Sequence, residues 1–234
     1  MCWNAPVSFV TLGAGTLLNI LSYIALTRRA SLVAPLIWAW QYALLMQLPE
    51  GIAWIRIESG SIEAESRLAL FLNVTQPLSL FLAEKLLNIR FQYAHVSLLM
   101  YYLLLLTESQ DLWEKSRSIA PADGCEHINL AYWNMSRGVL YVTASLLVMS
   151  EIPSTYWAVV NSTIFLASLG LSAAFYNCGM GSMWCWLIWM AGPVLVLADL
   201  VKTPLEEMTH PKPNPETVRR VRRTGTLVHH RSSV

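Results

Sequence analysis

The chain has 234 residues, of which 55% are hydrophobic and only 13% are charged. Soluble domains average about 45–50% apolar and about 25% charged residues, so this composition argues against an ordinary soluble domain. With 11 Gly and 11 Pro, the chain is not collagen-like and, for most of its length, not a linker. The formal net charge of +1 indicates no general affinity for nucleic acid. We therefore expect an integral membrane protein that does not bind nucleic acid.

Apolar segments recur along the chain at lengths that suit membrane-spanning helices, which need about 20 mostly apolar residues. Seven such segments cover residues 7–27, 32–55, 67–86, 92–107, 128–150, 155–176 and 183–201. They predict an all-α, polytopic helix bundle over residues 1–202, followed by a tail over residues 203–234. The first segment has no basic flank before it and no small-residue cleavage site after it, so we interpret it as an anchor rather than a cleaved signal peptide.

The distribution of Lys and Arg selects between seven spans and six. The fifth segment contains Asn129, Asn134 and Arg137, and a topology that omits it is the main alternative. With seven spans and the N-terminus outside, 11 basic residues lie on the cytoplasmic side and four on the opposite side. Six spans would place the basic tail outside, against the positive-inside rule. The sequence therefore predicts seven spans, an outside N-terminus and a cytoplasmic C-terminus, without specifying the membrane.

Polar side chains interrupt the second and third predicted spans. Gln47, Glu50 and Trp54 share one face of the second span, because residues three and four apart are neighbours on a helix. Asn73 and Gln76 are likewise three residues apart in the third span. Ionisable and polar groups at membrane depth are costly, so each of these residues is a candidate for function.

The fifth span carries a polar stripe with spacings of seven, three and four residues. The stripe consists of His127, Asn134, Arg137 and Tyr141. A rise of 1.5 Å per residue puts the polar groups of the second, third and fifth spans about 8–15 Å below the outer boundary. Two further amides, those of Asn19 and Asn161, lie in the inner half, and we interpret them as ties between helices.

Two prolines fall in the same outer layer and are expected to break their helices. Pro49 and Pro77 each lack the N–H that a helix needs, and broken helices line the binding sites of many transporters. We therefore predict a site for a small polar solute or ion, with Glu50 as the charged ligand and Arg137 as its counter-ion or as an anion clamp. The alternative is structural: Glu50 and Arg137 form a buried ion pair, and the amides hold helices together.

Four cysteines lie on or near the predicted outer side, namely Cys2, Cys125, Cys178 and Cys185. This distribution is expected of disulfides that face an oxidising compartment, and three pairings are possible. Unpaired packing cysteines are the second interpretation. Metal ligation is the third, with Cys125 and His127 as candidate ligands, although the sequence contains no CxxC or HxxxH spacing.

The tail combines four prolines between residues 204 and 215 with the basic run Arg219–Arg223. Proline at this density prevents a helix, so we predict a disordered cytoplasmic segment. Basic residues next to an anionic leaflet favour adhesion to lipid headgroups by about 1 kcal/mol each. A dedicated protein partner of the tail is the alternative.

Binding or transport of a small solute or ion is thus the preferred function. An intramembrane redox or metal-dependent enzyme, which would use the outer cysteines and His127, is the first alternative. A non-catalytic receptor or scaffold that binds its partner through the tail is the second. Neither GxSxG nor HExxH occurs, so a Ser-His triad or a zincin is unsupported, and the sequence favours a protein that is not an enzyme. No particular cofactor is indicated.

Three motifs resemble a family of small, uncharacterised multi-pass membrane proteins. These proteins open with Met-Cys-Phe-Ser-Ala, carry Gln-x-x-Glu-Gly-x-x-Trp in the second span and have Ser-x-Trp-Cys in the last third. The corresponding segments here are residues 1–5, with Trp3-Asn4 in place of Phe-Ser, residues 47–54, and residues 182–185. The resemblance covers most of the seven spans. It implies one shared design for Cys2, Gln47, Glu50, Trp54 and Cys185, and it brings no activity with it.

Overall fold

The computed structural model describes residues 4–29, 34–57, 62–86, 93–117, 120–121, 128–129, 135–152, 154–175 and 187–209. These residues are helical almost throughout, which confirms the predicted all-α class. The exception is an antiparallel pairing of two residues from each strand, β1 (Ala120–Pro121) and β2 (Ile128–Asn129).

The helices follow the predicted apolar segments in chain order. Those before the β pairing are α1 (Ala5–Arg29), α2 (Leu36–Leu44), α3 (Gln47–Arg56), α4 (Glu63–Leu86), α5 (Ala94–Thr107) and α6 (Ser109–Lys115). Those after it are α7 (Met135–Ser150), α8 (Thr155–Phe175) and α9 (Ala191–Thr209), the last of which follows a 3₁₀ turn at Ile188–Met190. Helix α9 continues to Thr209, so the prediction that a non-helical tail begins at residue 203 is wrong for its first residues. The described chain forms two compact units, Met1–Leu197 and Ala198–Val234, and the second contains the end of α9.

The two prolines predicted to break helices behave differently. Residues 45–46 form a turn that divides the second segment into α2 and α3, just before Pro49, as expected from its missing N–H. The predicted break at Pro77 is wrong, because this residue lies inside the continuous helix α4. One lost hydrogen bond is tolerated where other groups satisfy the freed carbonyls. The carbonyl that loses its backbone donor at Pro77 is that of Asn73, and the next carbonyl, that of Val74, accepts from the Tyr102 hydroxyl at 3.2 Å.

Two helices are long and apolar enough to cross a membrane, Ala5–Thr27 within α1 and Thr155–Phe175. Only 28% and 22% of their most apolar 18-residue windows are buried, so they are not the enclosed core helices of a soluble protein. Helix α5 and the segment Ser136–Ser150 are apolar but shorter. By length and composition, the described helices thus include two candidate membrane spans.

The distribution of side chains around α1 is inverted relative to a soluble helix. Its outward face exposes large apolar side chains such as Val10, which is 68% exposed, and Leu17, which is 58% exposed. Its inward face buries Ser8, Thr11 and Asn19. Helix α8 follows the same pattern, since the buried residues of that helix include Asn161, Ser168 and Ser172. This arrangement is typical of helices whose outer surface contacts lipid and whose polar groups pair inside a bundle.

Contacts at opposite ends show that α5 and α7 run antiparallel. The Glu151 carboxylate, just after α7, accepts hydrogen bonds from the backbone N–H groups of Tyr93 and Ala94 at the start of α5. At the other end, Arg137 in the first turn of α7 pairs with Glu108, directly after α5. A carboxylate at a helix N-terminus is favoured by the helix dipole, so Glu151 also caps α5.

Candidate functional site

A buried carboxylate and amide lie one turn apart on α3. Gln47 and Glu50 are both fully buried, and Nε2 of Gln47 donates to Oε2 of Glu50 at 3.0 Å. The other carboxylate oxygen, Oε1, has no hydrogen-bond partner in the described part of the structure. Trp54, one turn further, is half-buried. The hydrogen bond between Gln47 and Glu50 confirms the prediction that these two residues share one face of the helix.

Helix α1 shields this pair from solvent. Its Phe9 ring packs against Gly51, where an added Cβ would lie 2.8 Å from Cζ of that ring. Pro49, Gly51 and Ala53 of α3 are buried as well. The unbonded oxygen of Glu50 therefore lies in a region that the surrounding helices close to water. Such a group is expensive to bury unless a ligand or a proton satisfies it.

A second polar group joins α4 to α7. Nε2 of Gln76 donates to Oδ1 of Asn73 at 3.4 Å, and the Tyr141 hydroxyl donates to Oε1 of Gln76 at 2.5 Å. Asn73 and Gln76 are thus brought together as their spacing predicted. Next to them lies a cavity of about 20 Å³, lined in part by Trp40 and Ser145. A space of this size holds about one water molecule, so a larger solute does not fit into it.

Further amide and hydroxyl contacts tie the helices together, and most of their members were not singled out in the sequence. Nδ2 of Asn19 donates to Gln41 at 2.9 Å, and Nε2 of Gln41 donates to the hydroxyl of Thr16 at 2.9 Å. The indole of Trp40 donates to Oδ1 of Asn161 at 3.1 Å. The predicted role of Asn19 and Asn161 as interhelical ties is confirmed. The contacts of Gln41 with Thr16 and Asn19 could not be predicted from spacing along the chain, because they join two different helices.

The predicted partnership of Arg137 with Glu50 is wrong. Nε of Arg137 donates to Glu108 at 2.5 Å, and Nη2 donates to Asp111 at 2.5 Å. The prediction began the fifth span at residue 128, whereas α7 begins at Met135. Arg137 consequently lies in the first turn of its helix, close to the acidic start of α6, rather than deep in the bundle. Its side chain is only 4% exposed, so the two carboxylates compensate a buried charge.

The carboxylates around Arg137 border an open depression of about 580 Å³. Its lining consists of Thr107, Glu108, Gln110, Asp111, Glu114 and Arg137. Hydrogen bonds from the Arg137 guanidinium and the Lys115 ammonium hold the pKa of Asp111 below its usual range. Nearby, the Arg67 guanidinium lies 3.8 Å from the centre of the Trp113 ring, a cation–π contact. The charges of Glu108, Asp111 and Arg137 at this end of the molecule are therefore paired with one another or with Lys115.

Several predicted residues lie outside the described parts of the chain. They are the site candidate Asn134, the metal candidates Cys125 and His127, the remaining cysteines Cys2, Cys178 and Cys185, and the basic run of the tail. The disulfide, metal and lipid-headgroup hypotheses thus stay predictions. Within the residues that the structure does describe, no three His, Cys, Asp or Glu side chains are grouped as metal ligands.

Comparison of the chain with models of protein families, with curated proteins and with solved structures found no match. The resemblance to small multi-pass membrane proteins stays a prediction for that reason. Function is consequently argued from the arrangement of Glu50 and its neighbours.

Proposed function

We propose that the chain is a multi-pass integral membrane protein that binds, and in doing so can transport, a small polar solute or ion through Glu50. In this proposal seven segments cross the membrane, with the N-terminus outside and the tail in the cytoplasm. The inverted side-chain distribution of α1 and α8 supports contact with lipid. The two helices that are long and apolar enough to cross a membrane add to this support.

Three contacts support the alternating direction of the second to fifth of these segments. Each contact joins the ends of two helices, and the proposed topology assigns both ends to the same side of the membrane. On the outer side, Arg56 pairs with Glu65 at 2.5 Å, and Arg137 pairs with Glu108. On the inner side, Glu151 caps the start of α5. A six-span topology without α7 would place Glu151 on the opposite side of the membrane from the start of α5, so this third contact is the one that favours seven spans.

The observation that carries the binding proposal is the unbonded Oε1 of Glu50. It is fully buried, yet the described protein offers it no donor. Native proteins satisfy the great majority of buried polar atoms, and exceptions mark strained or functional places. A ligand that brings a donor or a positive charge would satisfy this oxygen. The pairing of Oε2 with Gln47 would hold the carboxylate in a fixed orientation for that ligand.

Replacing Glu50 by Gln is expected to abolish ligand-dependent stabilisation of the purified protein. The new amide keeps the shape of the side chain and its contact with Gln47 but removes the negative charge. For the unchanged protein, a ligand at 100 times its Kd stabilises the folded state by about 2.7 kcal/mol. The measurement is thermal unfolding in detergent across a panel of inorganic ions, amino acids and sugars.

Glu114→Gln is the matched control, because it makes the same chemical change at an exposed carboxylate. This variant should keep the full ligand response. Stabilisation that persists unchanged in Glu50→Gln would contradict the proposed site. A complete lack of response to the panel by the unchanged protein would contradict solute and ion binding altogether.

A further inference from the structure

We propose that an apolar groove between α4, α5 and α6 binds one phospholipid of the outer leaflet, with an acyl chain in the groove and the phosphate at Arg67. This site is separate from the one proposed at Glu50, and it rests on the same insertion of the helices into a membrane. Two observations carry it: the lining of the groove is apolar, and a guanidinium lies at its outer end.

The groove is a space of about 440 Å³ on the side of the bundle. Its lining includes Leu70 of α4, Leu105 and Leu106 of α5, and Leu112 of α6. Leu105 and Leu112 are buried, whereas Leu106 is 65% exposed, so the groove extends from the interior of the bundle to its surface. An unfilled apolar space loses dispersion contacts. In a bilayer, hydrocarbon is the material available to fill it.

Two contacts bound the groove along its length. At the deeper end, the Tyr102 hydroxyl donates to the carbonyl oxygen of Val74 at 3.2 Å, and both residues line the groove. At the outer end, the Arg67 guanidinium lies 3.8 Å from the centre of the ring of Trp113, another lining residue. The rise of α4 from Arg67 to Val74 is about 10 Å. One leaflet contributes about 15 Å of hydrocarbon, so the groove accommodates the upper part of an acyl chain.

Arg67 supplies a positive charge where the groove reaches the membrane interface. Its guanidinium is held in place by an ion pair with Glu63 and by the Trp113 ring. Its Nε has no acceptor among the described residues, and 32% of the side chain is exposed. The guanidinium therefore keeps donor capacity that the described protein does not use. Arginine pairs strongly with phosphate oxygens, and tryptophan is enriched at the level of lipid headgroups.

A phospholipid is the occupant that matches both parts of this site. Its acyl chain fits the apolar lining, and its phosphate accepts from the guanidinium, as headgroups do in basic pockets between membrane helices. A diacylglycerol has the same chains without the phosphate. It should enter the groove but bind more weakly, because the donors of Arg67 then lack a charged acceptor.

The role of the phosphate is tested by native mass spectrometry of the full-length protein, delipidated in detergent and titrated with phosphatidylcholine or with diacylglycerol of the same chains. We expect one phosphatidylcholine per chain to bind about tenfold more tightly than the diacylglycerol. Arg67→Gln should abolish this difference. Arg117→Gln, which removes an exposed cation near the end of α6, should preserve it.

The groove itself is tested by two pairs of tryptophan substitutions. Leu70→Trp and Leu106→Trp place an indole in the groove, whereas Leu68→Trp and Leu104→Trp make the same change at exposed positions of the same helices outside its lining. The first pair should lose the tightly bound lipid and the second pair should keep it. Circular dichroism checks that all four variants are folded, and the use of two helices guards against the failure of one variant.

Equal lipid binding by the two pairs would overturn the proposal. Diacylglycerol that binds as tightly as phosphatidylcholine would also overturn it, as would a dimer of the chain that forms through the groove in place of lipid. None of these variants should change the ligand response that Glu50→Gln is expected to abolish. A failure of the lipid site is therefore distinguishable from a failure of the proposed function.

Discussion

Removing both carboxylates from Arg137, by Glu108→Gln together with Asp111→Asn, is expected to lower the free energy of unfolding, and to lower it more than either substitution alone. The reason is the guanidinium, which is 4% exposed and donates to both carboxylates. Without them it becomes a buried charge without a countercharge. The measurement is denaturant or thermal unfolding of the purified variants in one detergent, read by circular dichroism.

Three further variants make this prediction specific. Each single substitution leaves one carboxylate on Arg137 and should cost less than half of the double substitution, since the interaction is not additive. Adding Arg137→Met to the double variant should restore most of the stability, because the buried charge is then gone. Glu114→Gln, at an exposed position, should change stability by less than about 0.5 kcal/mol. A double variant as stable as the unchanged protein would show that Arg137 reaches water.

The same cluster predicts a dependence on pH. The folded-state pKa of Asp111 is lowered by Arg137 and Lys115, so its contribution is fully present above the unfolded-state pKa of an aspartate. It is lost as the pH falls through the lowered, folded-state value. Stability of the unchanged protein should therefore decrease on acidification below the ordinary aspartate range, and this part of the decrease should be absent in Asp111→Asn.

Gly192→Ala is expected to destabilise the protein by about 2 kcal/mol, as is typical when a methyl group is forced into a filled core. A Cβ on Gly192 would lie closer than 3.0 Å to Oδ1 of Asn19 and 3.0 Å from Oγ of Ser22. Asn19 cannot move freely, because it is 2% exposed and donates to Gln41 at 2.9 Å. The substitution must therefore weaken the tie between α1 and α2 or separate α1 from α9.

Gly170→Ala is the matched control, since it makes the same change on α8 where nothing lies within 4 Å of the added Cβ. Alanine stabilises a helix relative to glycine by about 0.5–1 kcal/mol, so this variant should be slightly more stable. Opposite signs for the two substitutions would support the close approach of α1 and α9. Equal stabilisation of both variants would contradict it. Thermal unfolding of both proteins in one detergent provides the comparison.

Features set by neighbouring residues on one helix were predicted well. The apolar segments anticipated the helices, and the three-residue spacings of Gln47 with Glu50 and of Asn73 with Gln76 anticipated their hydrogen bonds. The turn before Pro49 followed from its missing N–H. The same reasoning was wrong at Pro77, which lies inside the continuous helix α4, because one missing N–H does not by itself end a long helix packed against its neighbours.

Features that join different helices were predicted poorly. Glu50 and Arg137 are the clearest ionisable residues at depth within the predicted spans, and this suggested a pair. The structure instead gives Arg137 two carboxylates, those of Glu108 and Asp111, which lie between the fourth and fifth predicted spans. Depth along a span was counted from a predicted helix start that precedes Met135, so Arg137 was placed too deep.

By itself, the sequence determined the helical class, the apolar character of the surface and the polar face of α3. Each of these depends on composition or on the local period of a helix. The partners of those faces were decided by the tertiary structure alone, because hydrogen bonds and ion pairs across helices depend on crossing positions that no local spacing encodes. The pairing of Arg137 with Glu108 and Asp111, rather than with Glu50, has the largest consequence for the proposed site. It leaves Oε1 of Glu50 buried without a described donor, and that oxygen is where a small polar solute or ion is proposed to bind.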